Sequence, residues 1–242
     1  MPDEMFSKVT DTCFPVLSNR GDGNPTFLGS SFAATTDGGL LTCRHVVEGA
    51  DMPLAVVHME TGNVRLIPFE GEVRYPANKS LDLAFLPNAA ASVDTLKVWP
   101  MLDPEYVTMG LDVYAFGYTA RGNPYPLECG YHSGSTVVVR RADKSMGGYP
   151  AVVLSLAVLE GMSGCALQTV DHPGLTRAVV GICCGNESRR ILAQEVVQAT
   201  SEKGEYREEV HRLVEHGLAL PVQTISAFFD ELGIAADAYR TG

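Results

Sequence analysis

Residues 29–49, GSSFAATTDGGLLTCRHVVEG, read as a strand, a glycine-rich turn, a second strand and then a histidine, His45. Short apolar runs of this kind continue outward on both sides of it. Between residues 27 and 87 they are TFLGSSFA, GLLT, LAVVHM, NVRLIPF, GEVRY and LDLAFLP. Each is bounded by Gly, Asp, Asn or Pro, residues that end strands through turn chemistry. A second set begins near residue 111: LDVYAFGY, STVVVRR, AVVLSL, GCALQTV, RAVVGICC and LALPV. The Pro-containing connector VWPMLDPEYVTMG lies between the sets. Two halves built of short strands predict an all-β chain of two small barrels or sandwiches, residues 1–110 and 111–242, over an alternating α/β sheet.

Two segments carry helical signals instead. In TISAFFDELG, Ile225, Phe228, Phe229 and Leu232 fall at i, i+3, i+4 and i+7, with Gly233 as the stop, which predicts a C-terminal helix packed on the second half. In the segment from Asn186 to His216, ILAQEVVQAT predicts a short helix. Tyr206, Val210, Leu213 and Val214 mark a further amphipathic stripe that ends at Gly217. A helical insertion near residues 186–216 is therefore expected, acting as a lid or a docking surface for a regulatory protein partner.

Bulk properties narrow the function classes. A chain of 242 residues that is 45% hydrophobic buries a substantial core, and a formal net charge of -11 argues against nucleic-acid binding. No apolar run approaches the roughly 18 residues of a membrane helix, and MPDEMFSKVT lacks the pattern of a secretory signal. The six cysteines, 13, 43, 129, 165, 183 and 184, show no C-x-x-C spacing. They are read as buried free thiols in a reducing, cytoplasmic setting, which makes Asn78-Lys79-Ser80 and Asn186-Glu187-Ser188 accidental sequons.

The chemistry rests on three residues in order. His45 follows the second strand, Asp82 opens the run DLAFLP, and Ser163 sits between glycines in LEGMSGCAL, residues 159–167. A serine hydroxyl is a poor nucleophile without an adjacent base, and the base needs a carboxylate to fix its tautomer and stabilise its cation. His45, Asp82 and Ser163 supply these types. The glycine turn allows the amides of Gly161 and Ser163 to converge on a developing oxyanion.

In that order the motifs resemble the trypsin-like (chymotrypsin-fold) serine peptidases, closest to the bacterial HtrA/DegP-type branch. The residues that carry the resemblance are Leu41-Thr42-Cys43-Arg44-His45-Val46-Val47, Asp82-Leu83-Ala84, Gly161-Met162-Ser163-Gly164, Val179-Val180-Gly181-Ile182 and Ala219-Leu220-Pro221. It spans residues 25 to 233 and implies two perpendicular six-stranded barrels with His45, Asp82 and Ser163 in the cleft between them. It also implies a cofactor-independent and metal-free endopeptidase acting on a protein or peptide substrate. Ala157 stands where trypsins carry the aspartate that binds Arg or Lys. With Val158, Glu160, Cys184 and Ala219 nearby, the resemblance implies a pocket for a small or medium apolar residue. Met162 stands where activated trypsins have an aspartate, and Gly164-Cys165-Ala166 replaces the usual Gly-Gly-Pro. No PDZ segment follows the last helix within this sequence.

Rival chemistries fit less well. An α/β-hydrolase elbow needs glycine at Cys165 and leaves His211 or His216 as base. The pair His211 and His216, five apart, does not share a helix face as a zinc motif requires. A Cys165 nucleophile would sit two residues off the serine position. His58, His132, His172, His211 and His216 are read as surface residues. The alternative of a different class is a catalytically silent fold that acts as a protein-binding module.

Overall fold

The computed structural model describes residues 10–19, 25–50, 54–60, 63–120, 127–143, 148–169, 177–200 and 204–235. The first six strands are β1 (Cys13–Asn19), β2 (Pro25–Ala33), β3 (Leu40–Thr42), β4 (Leu54–Glu60), β5 (Asn63–Phe69) and β6 (Ala84–Leu86). They form one sheet in the order β5-β4-β1-β2-β3-β6. A single helical turn, α1 (Arg44–Val47), follows β3. The next six are β7 (Asp112–Ala120), β8 (Leu127–Asp143), β9 (Tyr149–Leu154), β10 (Ala166–Thr169), β11 (Ala178–Thr200) and β12 (Gly204–Pro221). These close into a barrel, β10-β11-β12-β9-β8-β7. Two six-stranded units are what the resemblance implies. The first is a half-barrel, with no ladder joining its edge strands β5 and β6 among the described residues.

One apolar core runs through both units, from Phe14, Phe32 and Leu40 of the first to Val152, Leu167 and Ile182 of the second. The strand β1 has no counterpart among the expected runs, because Pro15 interrupts CFPVLSN. A proline removes a ladder donor, yet β1 lies between β4 and β2. The register resolves the conflict: β4 pairs with β1 only at Val16, Leu17 and Ser18, so Pro15 faces β2 alone. GEVRY is not a strand; it contributes one bridge, Arg74 to Phe85.

The helix α2 (Val222–Leu232) forms where the 3.6-residue pattern places it and ends at Gly233, whose φ of 70° caps it. It packs across both units, not on the second alone. Phe229 meets Phe85 of β6 edge-to-face at 5.7 Å, and Glu231 accepts the amide of Ala77 at 2.6 Å.

The expected helical insertion is absent. Residues 186–216 belong to the hairpin of β11 and β12, paired from Gly181↔Pro221 out to Thr200↔Gly204. ILAQEVVQAT has helical spacing, but its Ile191, Val196, Val197 and Thr200 are β-branched, and a partner strand of matching length lies a short connection away. Pairing with that strand outweighs a weak local preference. Among the described residues, neither strand has a third neighbour beyond Ser188↔Glu215, since β10 meets β11 only up to Ile182 and β9 meets β12 only at Gly217–Ala219. A free two-stranded ribbon adds little stability. Replacing residues 192–211 by an Asn-Gly turn between Ile191 and Arg212 is therefore expected to keep the barrel folded. The melting temperature should stay within about 4 °C of wild type, the shift that about 1 kcal/mol produces in a chain of this size. Loss of the cooperative thermal transition would make the ribbon structural.

His58 corrects a second expectation. It is 2% exposed on β4, with Nε2 3.4 Å from Asp11 and its ring 6.0 Å from Phe14. His132 and His216 are half-buried, and His216 Nδ1 lies 3.2 Å from the Leu154 carbonyl. His172 and the side chain of His211 lie outside the described residues.

Candidate active site

Strand register brings His45 and Asp82 together. β3 and β6 pair antiparallel, Leu40↔Leu86, Leu41↔Phe85 and Thr42↔Ala84, so the end of β3 and the start of β6 are neighbours. His45 lies just past the first end and Asp82 just before the second. Leu81 and Leu83 are buried on either side of Asp82, and the amide of Leu83 bonds the carbonyl of Leu81 at 2.9 Å. That tight turn fixes the carboxylate outward. Its Oδ2 lies 2.7 Å from His45 Nδ1, and its Oδ1 accepts the His45 amide at 2.9 Å.

This two-point grip sets the charges. The hydrogen bond that His45 donates to Asp82 raises the His45 pKa above its ordinary value of 6.5, against the lowering effect of burial. Burial pulls the Asp82 pKa upward, but bonds from the His45 ring and amide, the charge of His45 and the Arg44 amide leave it lowered overall. Arg44 anchors the segment before Asp82. Its buried guanidinium donates to the Pro76 carbonyl at 3.0 Å and lies 4.8 Å from the Tyr75 ring centre.

Ser163 reaches this corner from the other unit. Its carbonyl accepts the Ser30 amide at 2.9 Å. A Cβ on Gly29 would meet both Val46, next to His45, and the Ser163 carbonyl, so only glycine allows α1 and the serine turn to approach this closely. The Ser163 hydroxyl donates to the Cys184 carbonyl at 3.4 Å, a long bond. Among the described residues no hydrogen bond joins Ser163 to His45. The fold thus bonds His45 to Asp82 and brings the Ser163 backbone against the Gly29–Ser30 segment that borders Val46.

The turn before the serine has a defined shape. The Met162 amide donates to the Leu159 carbonyl at 3.0 Å, and Gly161, third in that turn, has φ 90°. A positive φ at the third residue marks a type II turn and demands glycine. The amides of Gly161 and Ser163 donate to no acceptor among the described residues. Ser30 holds this turn, a role that nothing in its sequence context signals. Its hydroxyl donates to the Gly161 carbonyl and accepts the Tyr118 amide, both at 2.8 Å. Ser30→Ala removes the bonds that its hydroxyl makes with the Tyr118 amide and the Gly161 carbonyl, an expected cost of about 2 kcal/mol in urea unfolding. An unchanged unfolding midpoint would show that the turn holds itself.

A cleft of about 260 Å³ runs from Asp82 along the two long strands, lined by Ser80, Cys184, Gly185, Asn186, Leu218 and Leu220. Of the residues expected to shape a pocket, Cys184 lines this cleft. Ala219, between Leu218 and Leu220, is fully buried, as is Val158; Ala157 is half-buried and Glu160 exposed. Asn186, part of a sequon read as accidental, clamps the backbone of Val158. Its side chain accepts the Val158 amide and donates to the Val158 carbonyl, both at 2.7 Å.

Four thiols crowd beneath the corner. Cys43 Sγ lies 3.4 Å from Cys184 Sγ and bonds the Cys183 carbonyl at 3.3 Å. Burial, the Cys184 thiol and the Asp82 charge push the Cys43 thiol well up. Cys183 is also pushed well up, by its bond to Cys165 and by burial. Cys165 is fully buried where β7 passes over it at Gly117, so it is no nucleophile at the surface of the cleft. Met162 is likewise enclosed in the core, which leaves no carboxylate there to receive an ammonium.

The sequence matches no family model and no curated protein. Solved structures do resemble the fold. The apo protease domain of MamO from Magnetospirillum magneticum is 17% identical, with a TM-score of 0.59 over 92% of this chain and 97% of that one. Two structures of the HtrA-type protease AlgW with a decapeptide, one of them a variant, are 16% and 17% identical with TM-scores of 0.57 and 0.55. They align with 96% and 94% of this chain and with 67% and 66% of their own. At this identity the likeness establishes the fold, the trypsin-like two-barrel fold of HtrA-type proteases.

Proposed function

We propose that this chain is a serine endopeptidase. Ser163 attacks the peptide carbonyl, His45 takes its proton and passes it to the leaving amine, and Asp82 holds the Nδ1–H tautomer of His45. The amides of Gly161 and Ser163 receive the oxyanion. The observation that carries this reading is the His45–Asp82 bond at 2.7 Å beside a serine turn with two unpaired amides. The long bond from Ser163 to Cys184 is read as a resting position, since catalytic bonds tighten on substrate binding.

The substrate is a protein or peptide, cleaved after a small or medium apolar residue. Leu218, Leu220 and Cys184 give the cleft an apolar wall, and Asp82 is its one charged lining group among the described residues. Incubation with a peptide library, read by mass spectrometry with Ser163→Ala as the blank, tests both points. Cleavage after Val, Ala or Leu that vanishes in the blank supports the reading, and a profile dominated by Arg or Lys contradicts it. A binding module without turnover is the second reading, favoured by the missing Ser163–His45 bond. It predicts peptide binding without cleavage. A cytoplasmic location fits the free thiols of Cys13, Cys43, Cys165, Cys183 and Cys184. The ribbon beyond Ser188 and Glu215, where Leu213 is exposed, is the surface assigned to a regulatory partner.

The pH dependence follows from the grip on His45. Catalysis needs the neutral ring, so activity rises with pH through a His45 pKa above 6.5. Asp82→Asn should move that limb down, because it removes the bond and charge that raise the His45 pKa and leaves the burial that lowers it. Stability runs the other way. The raised His45 pKa stabilises fully below about 6.5, and that contribution is lost as pH rises through the folded value. The lowered Asp82 pKa stabilises above about 3.9, and that contribution is lost as pH falls through the folded value. An acid limb at or below the ordinary imidazole value, in pH–rate profiles of wild type, would contradict the assignment.

A further inference from the structure

We propose that Cys43 and Cys184 form a reversible redox pair that switches the serine site; the switching, though not the pair itself, rests on the peptidase reading above. Their sulfurs lie 3.4 Å apart although the residues are 141 positions apart in sequence. The two differ in access. Cys184 is half-buried and lines the cleft, whereas Cys43 is fully buried behind it. An oxidant entering the cleft therefore meets one thiol first and finds a second in contact, the arrangement of an attacking and a resolving cysteine. The other thiol pair at this corner, Cys165 with Cys183, is buried on both sides and borders no part of the cleft.

The oxidant class is a hydroperoxide. The Cys184 thiolate attacks the O–O bond of hydrogen peroxide; an S–O bond forms, the O–O bond breaks, and hydroxide leaves and is protonated to water. Cys184 is then a sulfenic acid, oxidised by two electrons. The Cys43 sulfur attacks that sulfur; the S–S bond forms, the S–O bond breaks, and hydroxide leaves with the Cys43 proton as a second water. In sum, two thiols and one peroxide give one disulfide and two waters.

Bond formation couples to the site at both ends. Closing the sulfurs from 3.4 Å to about 2 Å draws β11 toward the residue just before α1. The Cys184 carbonyl holds the Ser163 hydroxyl, and Cys43 precedes His45 by two residues. The disulfide therefore shifts the serine and the histidine relative to each other across the two units. The same corner also places the Asp82 carboxylate within 4.8 Å of both sulfurs, a trio of donor types that a cation could bridge. Both Asp82 oxygens are already engaged by His45, so oxidation is the chemistry these distances favour.

The test treats the intact chain with hydrogen peroxide in the presence of a chelator, then maps cysteines by alkylation and mass spectrometry. The expected product is one Cys43–Cys184 disulfide, lighter by about 2 Da, the mass of two hydrogens. Dithiothreitol should reverse it, and Cys43→Ala should not form it. Fluorophosphonate labelling of Ser163 should slow at least tenfold on oxidation and recover on reduction, each variant being compared with its own reduced state. Both thiols remaining alkylatable, or Cys184 advancing to sulfinic acid alone, overturns the pair. Inhibition without peroxide that a chelator reverses assigns the trio to a cation and also overturns it. If the disulfide forms but the reduced protein never labels, the pair stands and the peptidase reading falls. Labelling that is indifferent to a formed disulfide overturns the switching.

Discussion

Asp82→Asn is expected to lower peptide hydrolysis about ten-thousandfold while the protein stays folded. The two oxygens of Asp82 do different jobs, and asparagine replaces only one of them. Its carbonyl can still accept the His45 amide, the bond that Oδ1 makes at 2.9 Å, so α1 keeps its place. Its NH2 group then faces His45 Nδ1 where Oδ2 stood at 2.7 Å. Two donors cannot bond each other. The ring responds by placing its proton on Nε2, which is the nitrogen that must be free to accept from Ser163. The base is present in the wrong tautomer, and the cation that forms during the reaction loses its counter-charge. Steady-state turnover and thermal unfolding of the same preparation check this. A tenfold or smaller loss in a folded variant would show that His45 does not act as base through Asp82.

Gly161→Ala is expected to lower turnover by about a hundredfold or more, the loss that follows removal of one oxyanion donor. Gly161 sits at φ 90°, a region that disfavours alanine, and an added Cβ would press on the Phe27 ring and the Tyr118 carbonyl oxygen. Relief comes by rotating the Glu160–Gly161 peptide toward a negative φ, which converts the turn from type II to type I and turns the Gly161 amide away. The carbonyl that Ser30 holds belongs to the same residue, so the rotation also disturbs the bond at 2.8 Å. The loss should fall on kcat more than on KM, because the oxyanion exists only in the transition state. A change confined to KM would place Gly161 in substrate binding instead.

The parts of this site that are legible in sequence are those held by adjacent residues. The order of His45, Asp82 and Ser163, the glycines around the serine and the strand runs beside them are local patterns; the runs fold as strands and His45 meets Asp82. The C-terminal helix is legible for the same reason, since Phe228 and Phe229 keep its period. The ribbon is not. Beyond Ser188 its two strands satisfy each other across 11 pairs, and nothing in ILAQEVVQAT alone tells of the partner that Tyr206 to Val214 provides. Asn186 and Ser30 escape notice because their importance lies in which distant backbone groups they bond, Val158 in one case and Gly161 and Tyr118 in the other. The contact between Cys43 and Cys184 is hidden likewise, since sequence separation conceals which of six thiols meet. His58 shows the reverse error: polarity suggests surface, yet it is buried with its Nε2 3.4 Å from Asp11.

The most direct test of whether Ser163 is an activated nucleophile is covalent labelling by a fluorophosphonate probe, read by intact mass on the reduced chain. The account predicts a single adduct on wild type, none on Ser163→Ala, and strongly slowed labelling in Asp82→Asn. An unlabelled but folded wild type, or an adduct that persists in Ser163→Ala, would contradict it.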